Sequence, residues 1–407
     1  MADPERVVVV GGGLAAATCC GTLVEQGFDG SVTVVAAEDH LPYERPPLSK
    51  GYLLGSAEID SVVVHPRSWY DEHGVELRLG SPATAIDLAG RSVTVDGRDL
   101  GYDRLLLATG AAPRRLPLAD DSVAPVTYLR TIADSRRIKA ALTPGRTLAV
   151  VGAGWIGLEV AAAARTAGCD TVVVETAAQP LQRVLGPELG AVFASLHRAH
   201  GVDLRTEVGL TSLRAAGDRA VLGLDDGSTV TADLVLVGVG VVPETALATS
   251  AGLSVDDGVV VDELLRASAP GVFAAGDLAA AFHPRLGRRV RVEHWDNAIA
   301  QGRAAAHSML GAGTPYDRLP YFFTDQYDLG MEYVGHVGPG GYDEVVVRGE
   351  PADGPFTAFW LGQGRVLAGM QVNDWDATDA IRRVLDAGTV DLPRLRDPRV
   401  PLAEVVP

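Results

Sequence analysis

Two glycine-rich turns, each set between an apolar strand and a helix, constrain this chain more than any other feature. The first lies in RVVVVGGGLAAAT from Arg6 and presents Gly11-x-Gly13-x-x-Ala16; the second, in RTLAVVGAGWIGLEVA from Arg146, presents Gly152-x-Gly154-x-x-Gly157. Glycines at this spacing allow a tight turn and bring a pyrophosphate up to a helix N-terminus, where unpaired amides and the helix dipole favour negative charge. Ala16 is small enough for the close helix–strand packing that the third position requires. The Val and Ala runs before each turn suit parallel strands buried on both faces. One such motif is weak evidence, but two in one chain predict two dinucleotide-binding units.

The rest of the chain organises around these units. Residues 5–38 read as strand, turn, helix and strand ending in SVTVVAAE, and residues 146–176 repeat that order ending in CDTVVVET. DRLLLATGAAPRRLP from Asp103 and DLVLVGVGVVPET from Asp233 each supply a buried strand and a Gly turn that close a unit. A third punctuation, GVFAAGDLA from Gly271, ends in Asp277, and residues 292–311 have helical spacing with a Gly stop. Beyond Pro315 and Pro320, alternation over 331–337, 344–347, 356–361 and 366–372 predicts an antiparallel sheet, followed by a helix near 377–385. The expected class is α/β: two Rossmann-like dinucleotide-binding domains plus a small C-terminal α+β domain. Their expected boundaries are 1–112 with 242–318, 113–241, and 319–407.

Composition narrows the partners. The 407 residues are 47% hydrophobic, enough for sizeable cores, and carry a formal net charge of -17. Such a chain repels polyanions unless its cations are segregated, so nucleic acid and anionic membrane are poor partners. The uncharged stretch from Val7 to Val24 is broken by three glycines and follows MADPER, which lacks a basic leader, so neither a membrane span nor a signal peptide is expected. Cys19, Cys20 and Cys169 read as small core residues of a reduced, cytoplasmic protein.

Acids and bases near the turns carry the chemistry. Glu175 ends the strand after the second turn, where a carboxylate accepts from ribose hydroxyls and repels the 2′-phosphate of NADP, favouring NAD; Arg183 is the nearby cation that would favour the phosphate. After the first turn the strand runs into Ala36 and Ala37, leaving Glu38 as a slightly late ribose acid or an ordinary loop charge. In PYERPPLSKGYLLG from Pro42, two prolines set a rigid path and leave Arg45 and Lys50 as cations close to the first unit. Glu159, one turn past the second glycine set, is either a site residue or a solvated helix charge. His197 and His200 lie at helical spacing and read as a surface pair, and no Cys or His cluster has metal-ligand spacing.

PYERPPLSK, LLLATGA, GAGWIGLE, GVGVVPET, AAGDLA and YFFTDQYD, in that order, resemble the FAD-dependent, NADH-linked ferredoxin reductases of bacterial oxygenase and cytochrome P450 chains. The resemblance covers essentially the whole chain. It implies that Gly11, Gly13, Leu14 and Ala15 hold the FAD pyrophosphate. Glu38 would meet its ribose and Ala83 its adenine, Lys50 would lie near the isoalloxazine, and Arg45 with Ala108, Thr109 and Gly110 of LLLATGA would join the same site. Arg130 of YLRTIADS, Gly276 and Asp277, and Glu293, His294 and Trp295 of EHWDN would complete the FAD set, with Trp295 beside the flavin ring. Gly152, Gly154, Trp155, Ile156 and Gly157 would take the NAD pyrophosphate, with Glu175, Arg183, and Gly238, Val239 and Gly240 around it. Lys50 and Glu159 are the implied catalytic pair: the lysine stabilises negative charge on reduced flavin, and the glutamate holds the lysine and borders the nicotinamide.

The chain departs from the family at Ala37, where many members carry an acid, at Ala83 beside the adenine, and at NDWDATD from Asn373. No cysteine lies between Cys20 and Cys169, which removes the thiol-disulfide chemistry of related enzymes. The implied activity is transfer of electrons from NADH through FAD to a [2Fe-2S] ferredoxin serving a cytochrome P450 or Rieske-type oxygenase, by a monomer or weak homodimer. Arg288, Arg289, Arg291 and Arg303 are the candidate docking cations for that acidic partner. Two other readings stand beside it: a reductase of small acceptors such as monodehydroascorbate or quinones, and a redox-sensing flavoprotein similar to apoptosis-inducing factor.

Overall fold

The computed structural model describes residues 5–338, 341–352 and 354–406. Contacts divide the chain into two compact units: one comprises the chain up to Pro46 with Glu58–Ala112 and Val241–Arg318, the other Pro47–Ala57, Pro113–Gly240 and the chain from Leu319.

In the first unit, Arg6–Val10 is the middle of a five-stranded parallel sheet, flanked by Ser31–Val35 and Val75–Arg78 on one side and by Arg104–Leu107 and Val272–Ala274 on the other. Val7, Val8, Val9, Leu105 and Leu106 are all within 1% of full burial, as expected of strands covered on both faces. The helix Leu14–Glu25 packs against Trp295–Met309, and the approach is close because Gly302 presents no Cβ to the Ala15 carbonyl. Cys19 and Cys20 lie in that core, and Cys169 is equally buried in the second unit; all three are free thiols.

Among the described residues the second unit contains two five-stranded sheets and a three-stranded antiparallel one, Leu210–Ala216, Arg219–Leu224 and Thr229–Ala232. Thr147–Val151 centres a parallel sheet with Asp170–Val174, Asp203–Arg205, Leu234–Val237 and Val126–Thr127, repeating the architecture of the first unit. The C-terminal sheet is antiparallel, ordered Tyr321–Gln326, Leu329–Gly335, Arg365–Val372, Phe356–Gly362 and Glu344–Arg348, with Ala377–Asp386 packed on it through Ile381 and Val384. Alternation anticipates four of these strands; the fifth, Tyr321–Gln326, is concealed because its inward face carries Phe322, Thr324 and Gln326, two of them polar.

The helix Gln182–Ala199 bends where Gly186 takes φ +80° ahead of Pro187. A Cβ at Gly186 would collide with the Tyr342 hydroxyl, and the carbonyl of Leu185 accepts from the Trp360 indole at 3.0 Å. This bend directs the far end of the helix, with His197, toward the hairpin 321–335. His197 is therefore fully buried, against the surface pair expected from its spacing, and only His200 is exposed.

Candidate functional site

The first unit supplies an open helix N-terminus. Gly11 has φ +132°, and a Cβ there would collide with the Ala108 carbonyl, so only glycine fits the turn. Gly13 is the N-cap of Leu14–Glu25, no side chain caps it, and nothing lies within 4 Å of where its Cβ would stand. The first turn thus has no side-chain cap and no acid, and the space beside Gly13 is open, an arrangement that accepts a diphosphate. Ala108, Thr109 and Gly110 follow the strand Arg104–Leu107, with the Ala108 amide bonded to the Val10 carbonyl at 2.8 Å.

Around that turn, Glu38 and Arg45 meet. The Glu38 carboxylate accepts from Arg45 at 2.9 Å and from the Tyr43 hydroxyl at 2.7 Å. Burial disfavours the Arg45 charge, yet Tyr43, Glu38 and Asp277 together outweigh it and raise its pKa. Asp277 sits in the turn Gly276–Leu278, whose Gly276 amide donates to Gln301 Oε1 at 2.9 Å. Desolvation pushes the His294 imidazole down to about 4 despite Asp277 and Asp296 nearby. Trp295 opens the next helix, and burial raises the Glu44 carboxyl. Ala83 begins the strand Ala83–Asp87 on the same unit.

The second unit repeats the open N-terminus and adds a buried ion pair. Gly152 has φ +100°, Gly154 caps Trp155–Thr166 without a side-chain bond, and a Cβ at Gly157 would collide with the Gly152 carbonyl. The Glu175 carboxylate accepts from the amide of Ala153 at 2.7 Å and that of Ala177 at 2.8 Å, so it lies against the glycine turn. Trp155 packs on Phe193 and Phe322, and Ile156 follows it in the helix. Gly238, Val239 and Gly240 follow the neighbouring strand, with the Gly238 amide bonded to Val151 at 2.8 Å. Arg183 is exposed in the first turn of Gln182–Ala199. Arg130 stands beside the capping box of Ile132–Ala141, its amide bonded to Asp134 at 3.1 Å.

Lys50 is held by its own segment. Ser135 donates to the Leu48 carbonyl at 2.7 Å and Lys139 to the Tyr52 carbonyl at 3.0 Å, pinning PPLSKGY to the helix Ile132–Ala141. Lys50 Nζ lies 2.7 Å from Glu159 Oε2, and Glu159 is 5% exposed. The solvated-charge alternative for Glu159 is thereby removed. Its Oε2 also accepts from Ser49 at 2.5 Å and its Oε1 from Thr324 at 2.6 Å. Asp325, on the outer face of the same strand, has its carboxyl raised by burial against the lowering effect of Lys50.

Residues 5–302 match the pyridine nucleotide-disulphide oxidoreductase family, and residues 321–406 match the reductase C-terminal family. The chain is 41% identical over 404 residues to the ferredoxin–NAD(+) reductase component of the anthranilate 1,2-dioxygenase system of Burkholderia cepacia, covering 98% of each chain. It is 38% identical to putidaredoxin reductase of Pseudomonas putida, covering 99% of this chain and 97% of that one. The solved covalent putidaredoxin reductase–putidaredoxin complex superposes with a TM-score of 0.95 at 37% identity, covering 98% of each chain. The chain belongs to the ferredoxin–NAD(+) reductases of the pyridine nucleotide-disulphide oxidoreductase family. FAD and NAD(H) are the cofactors of this family, and the two open helix N-termini fit two such dinucleotides.

The reductase does not present its four candidate docking arginines as one patch. Arg291 is engaged by Asp257 at 3.2 Å and by Glu293, and it also donates to the Asp277 carbonyl. Arg289 donates to the Val261 and Ala280 carbonyls. Only Arg288, half-buried, and Arg303, exposed on the helix Trp295–Met309, lack such partners among the described residues. Internal pairing absorbs the other two, Arg291 through two acids and Arg289 through backbone carbonyls.

Sequence reasoning missed Ser49, Thr324, Gln326, His197 and Tyr327. The sole signal was the polar–aromatic alternation of YFFTDQ, which does not reveal that Thr324 meets a glutamate far earlier in the chain. Among the described residues no helix is long and apolar enough to cross a membrane.

Proposed function

We propose that the protein carries electrons from NADH to a [2Fe-2S] ferredoxin that supplies a cytochrome P450 or a Rieske-type oxygenase. The observation that supports this most is the pair of uncapped, glycine-lined helix N-termini at Gly13 and Gly154, one in each compact unit. Bound FAD supplies the conversion between two-electron and one-electron transfer. The protein's part is binding, orientation and charge.

In this reading the amides around Gly11, Gly13, Leu14 and Ala15 take the FAD pyrophosphate, and Glu38, oriented by Arg45 and Tyr43, takes its ribose in place of the acid missing at Ala37. The remaining FAD contacts are Ala83, Ala108, Thr109, Gly110, Arg130, Gly276, Asp277, Glu293, His294 and Trp295. Gly152, Gly154, Trp155, Ile156 and Gly157 take the NADH pyrophosphate, and Gly238, Val239 and Gly240 complete that cradle. Glu175 accepts from the ribose hydroxyls and repels a 2′-phosphate, with Arg183 too exposed to offset it. Lys50 contributes positive charge toward the reduced flavin, and Glu159 fixes the position of Lys50. Arg303 and Arg288 are the docking cations that remain available for an acidic ferredoxin.

We further propose a three-domain partition, with 1–112 and 242–318 for FAD, 113–241 for NAD and 319–407 as the C-terminal domain. Free buried cysteines suit the cytoplasmic setting, and the quaternary state assigned is a monomer or weak homodimer.

The test is anaerobic stopped-flow reduction of the purified holoprotein by NADH and by NADPH, then mixing with oxidised [2Fe-2S] ferredoxins. Fast bleaching by NADH followed by catalytic turnover with a ferredoxin supports the proposal. Turnover only with quinones or ascorbyl radical, or slow bleaching, overturns it.

A further inference from the structure

Beyond the ion pair, Glu159 is the inner end of a buried line of side chains within the second unit. Thr324 Oγ1 donates to Glu159 Oε1 at 2.6 Å and accepts from Gln326 Nε2 at 3.2 Å. Gln326 Oε1 faces His197 Nε2 at 2.8 Å, and Tyr327 Oη stands 3.5 Å from His197 Nδ1. Thr324, Gln326 and His197 are at most 1% exposed. The outer end is Tyr327, which stacks on the exposed ring of His200 at 3.7 Å and 9°.

The donor–acceptor rules fix a direction for this line. A carboxylate only accepts, so the Thr324 hydroxyl must donate to it and can then only receive from Gln326. With Gln326 Nε2 committed, its Oε1 accepts, so the imidazole proton resides on His197 Nε2. That leaves Nδ1 to accept from the Tyr327 phenol. Burial works in the same sense, lowering the His197 pKa so that the ring is neutral and holding the Tyr327 phenol up at about 12. Every proton in the line therefore points toward Glu159. Aligned hydrogen bonds in a low-dielectric interior polarise one another and strengthen cooperatively. Tyr327 is held in the left-handed region at φ +57°, a strained conformation for a tyrosine, at the turn that places its ring between His197 and His200.

We infer that Thr324, Gln326 and His197 are positioning residues of the reductase, a one-way hydrogen-bonded line that fixes the Glu159 carboxylate against Lys50 and so sets how strongly Lys50 acts on the bound flavin. Gln326 and His197 act through Thr324 and touch neither cofactor. This inference rests on the role proposed above for Lys50.

The experiment compares holoprotein carrying Thr324→Val, Thr324→Ser, Gln326→Met and the double change Thr324→Val/Gln326→Met with wild type. The flavin midpoint potential is measured by mediated spectroelectrochemistry, which needs no NADH, and the limiting rate of reduction by NADH by stopped flow. Loss of a hydrogen bond to a charged group predicts that Thr324→Val slows reduction about tenfold and lowers the potential. Thr324→Ser, which keeps the hydroxyl, returns both to the wild-type values. Gln326→Met shifts both in the same direction by less, and the double variant matches Thr324→Val alone because both changes cut one line. A wild-type potential in both Thr324→Val and Gln326→Met, or strictly additive effects in the double variant, overturns the inference. Should Thr324→Val fail to fold, Gln326→Met decides by itself, since it leaves the Thr324–Glu159 bond in place. If wild-type protein resists NADH, the functional proposal falls, while the potentials of the variants still decide the line.

Discussion

Lys50 Nζ lies 2.7 Å from Glu159 Oε2 inside one compact unit, and both carboxylate oxygens of Glu159 accept hydrogen bonds. Lys50 and Ser49 converge on one oxygen and Thr324 on the other, so a carboxamide placed there removes the charge that pairs with Lys50, and its NH₂ fits only where the Thr324 hydroxyl turns from donor to acceptor. Glu159→Gln is therefore expected to destabilise the protein by about 3 kcal/mol, the scale for breaking a buried pair. It should also slow flavin reduction by NADH. Urea unfolding and stopped-flow traces of the variant check the two effects, and wild-type values for both would remove Glu159 from the site.

Glu175 rests against the second glycine turn through the amides of Ala153 and Ala177. Glu175→Gln keeps an acceptor while removing the charge that repels a 2′-phosphate. A like charge of this kind costs several kcal/mol, so the kcat/KM for NADPH should rise at least about tenfold while that for NADH falls less. Steady-state kinetics with both nucleotides give the ratio, and an unchanged ratio would assign the discrimination elsewhere.

Arg303 is exposed on its helix, whereas Arg291 is locked to Asp257 and Glu293. Arg303→Glu should lower kcat/KM for ferredoxin at low ionic strength, with the loss fading near 0.5 M salt as screening shortens to a few ångströms. NADH oxidation with ferricyanide should be untouched. Arg291→Ala should instead lower the thermal midpoint, because it strands Asp257 and Glu293. A variant pair with the reverse pattern would exchange their assigned roles.

Four imidazoles are pushed down mainly by burial: His65, His197, His283, and His294, the last to about 4. A lowered histidine pKa means that the unfolded chain binds the proton more readily. Its contribution to stability is therefore full above about pH 6.5 and is lost as pH falls from there toward 4. Thermal midpoints measured across that window should decline on acidification, and the decline should flatten in His294→Gln. An unaltered slope in that variant would place the pH sensitivity in other groups.

Gly157 approaches the Gly152 carbonyl too closely for any side chain, while the equivalent place in the first turn is filled by Ala16 at full burial. Gly157→Ala should weaken NAD+ binding with FAD content unchanged, a separation visible by titration calorimetry on the yellow protein. Equal affinity in variant and wild type would show that the turn tolerates a methyl group.

By itself the sequence determined the two nucleotide units, because their glycines, buried valine strands and following helices are local patterns in which each residue constrains only its near neighbours. Lys50 and Glu159 were legible as a catalytic pair only through the family resemblance, carried by PYERPPLSK and GAGWIGLE. The antiparallel C-terminal sheet was legible in four strands and hidden in the fifth, where Thr324 and Gln326 occupy positions that a strand pattern reserves for apolar residues. What those polar groups face is a matter of tertiary structure alone. The bend at Gly186 and the strained turn at Tyr327 bring His197, Gln326 and Thr324 into line with a glutamate on another helix. The same holds for the arginines, whose charges count identically along the chain but are spent on Asp257 and Glu293 or left exposed according to the fold. Periodicity carries short-range order, whereas the partners of buried polar and charged groups are set by contacts between segments remote in the chain, and these are what desolvation compels the fold to satisfy.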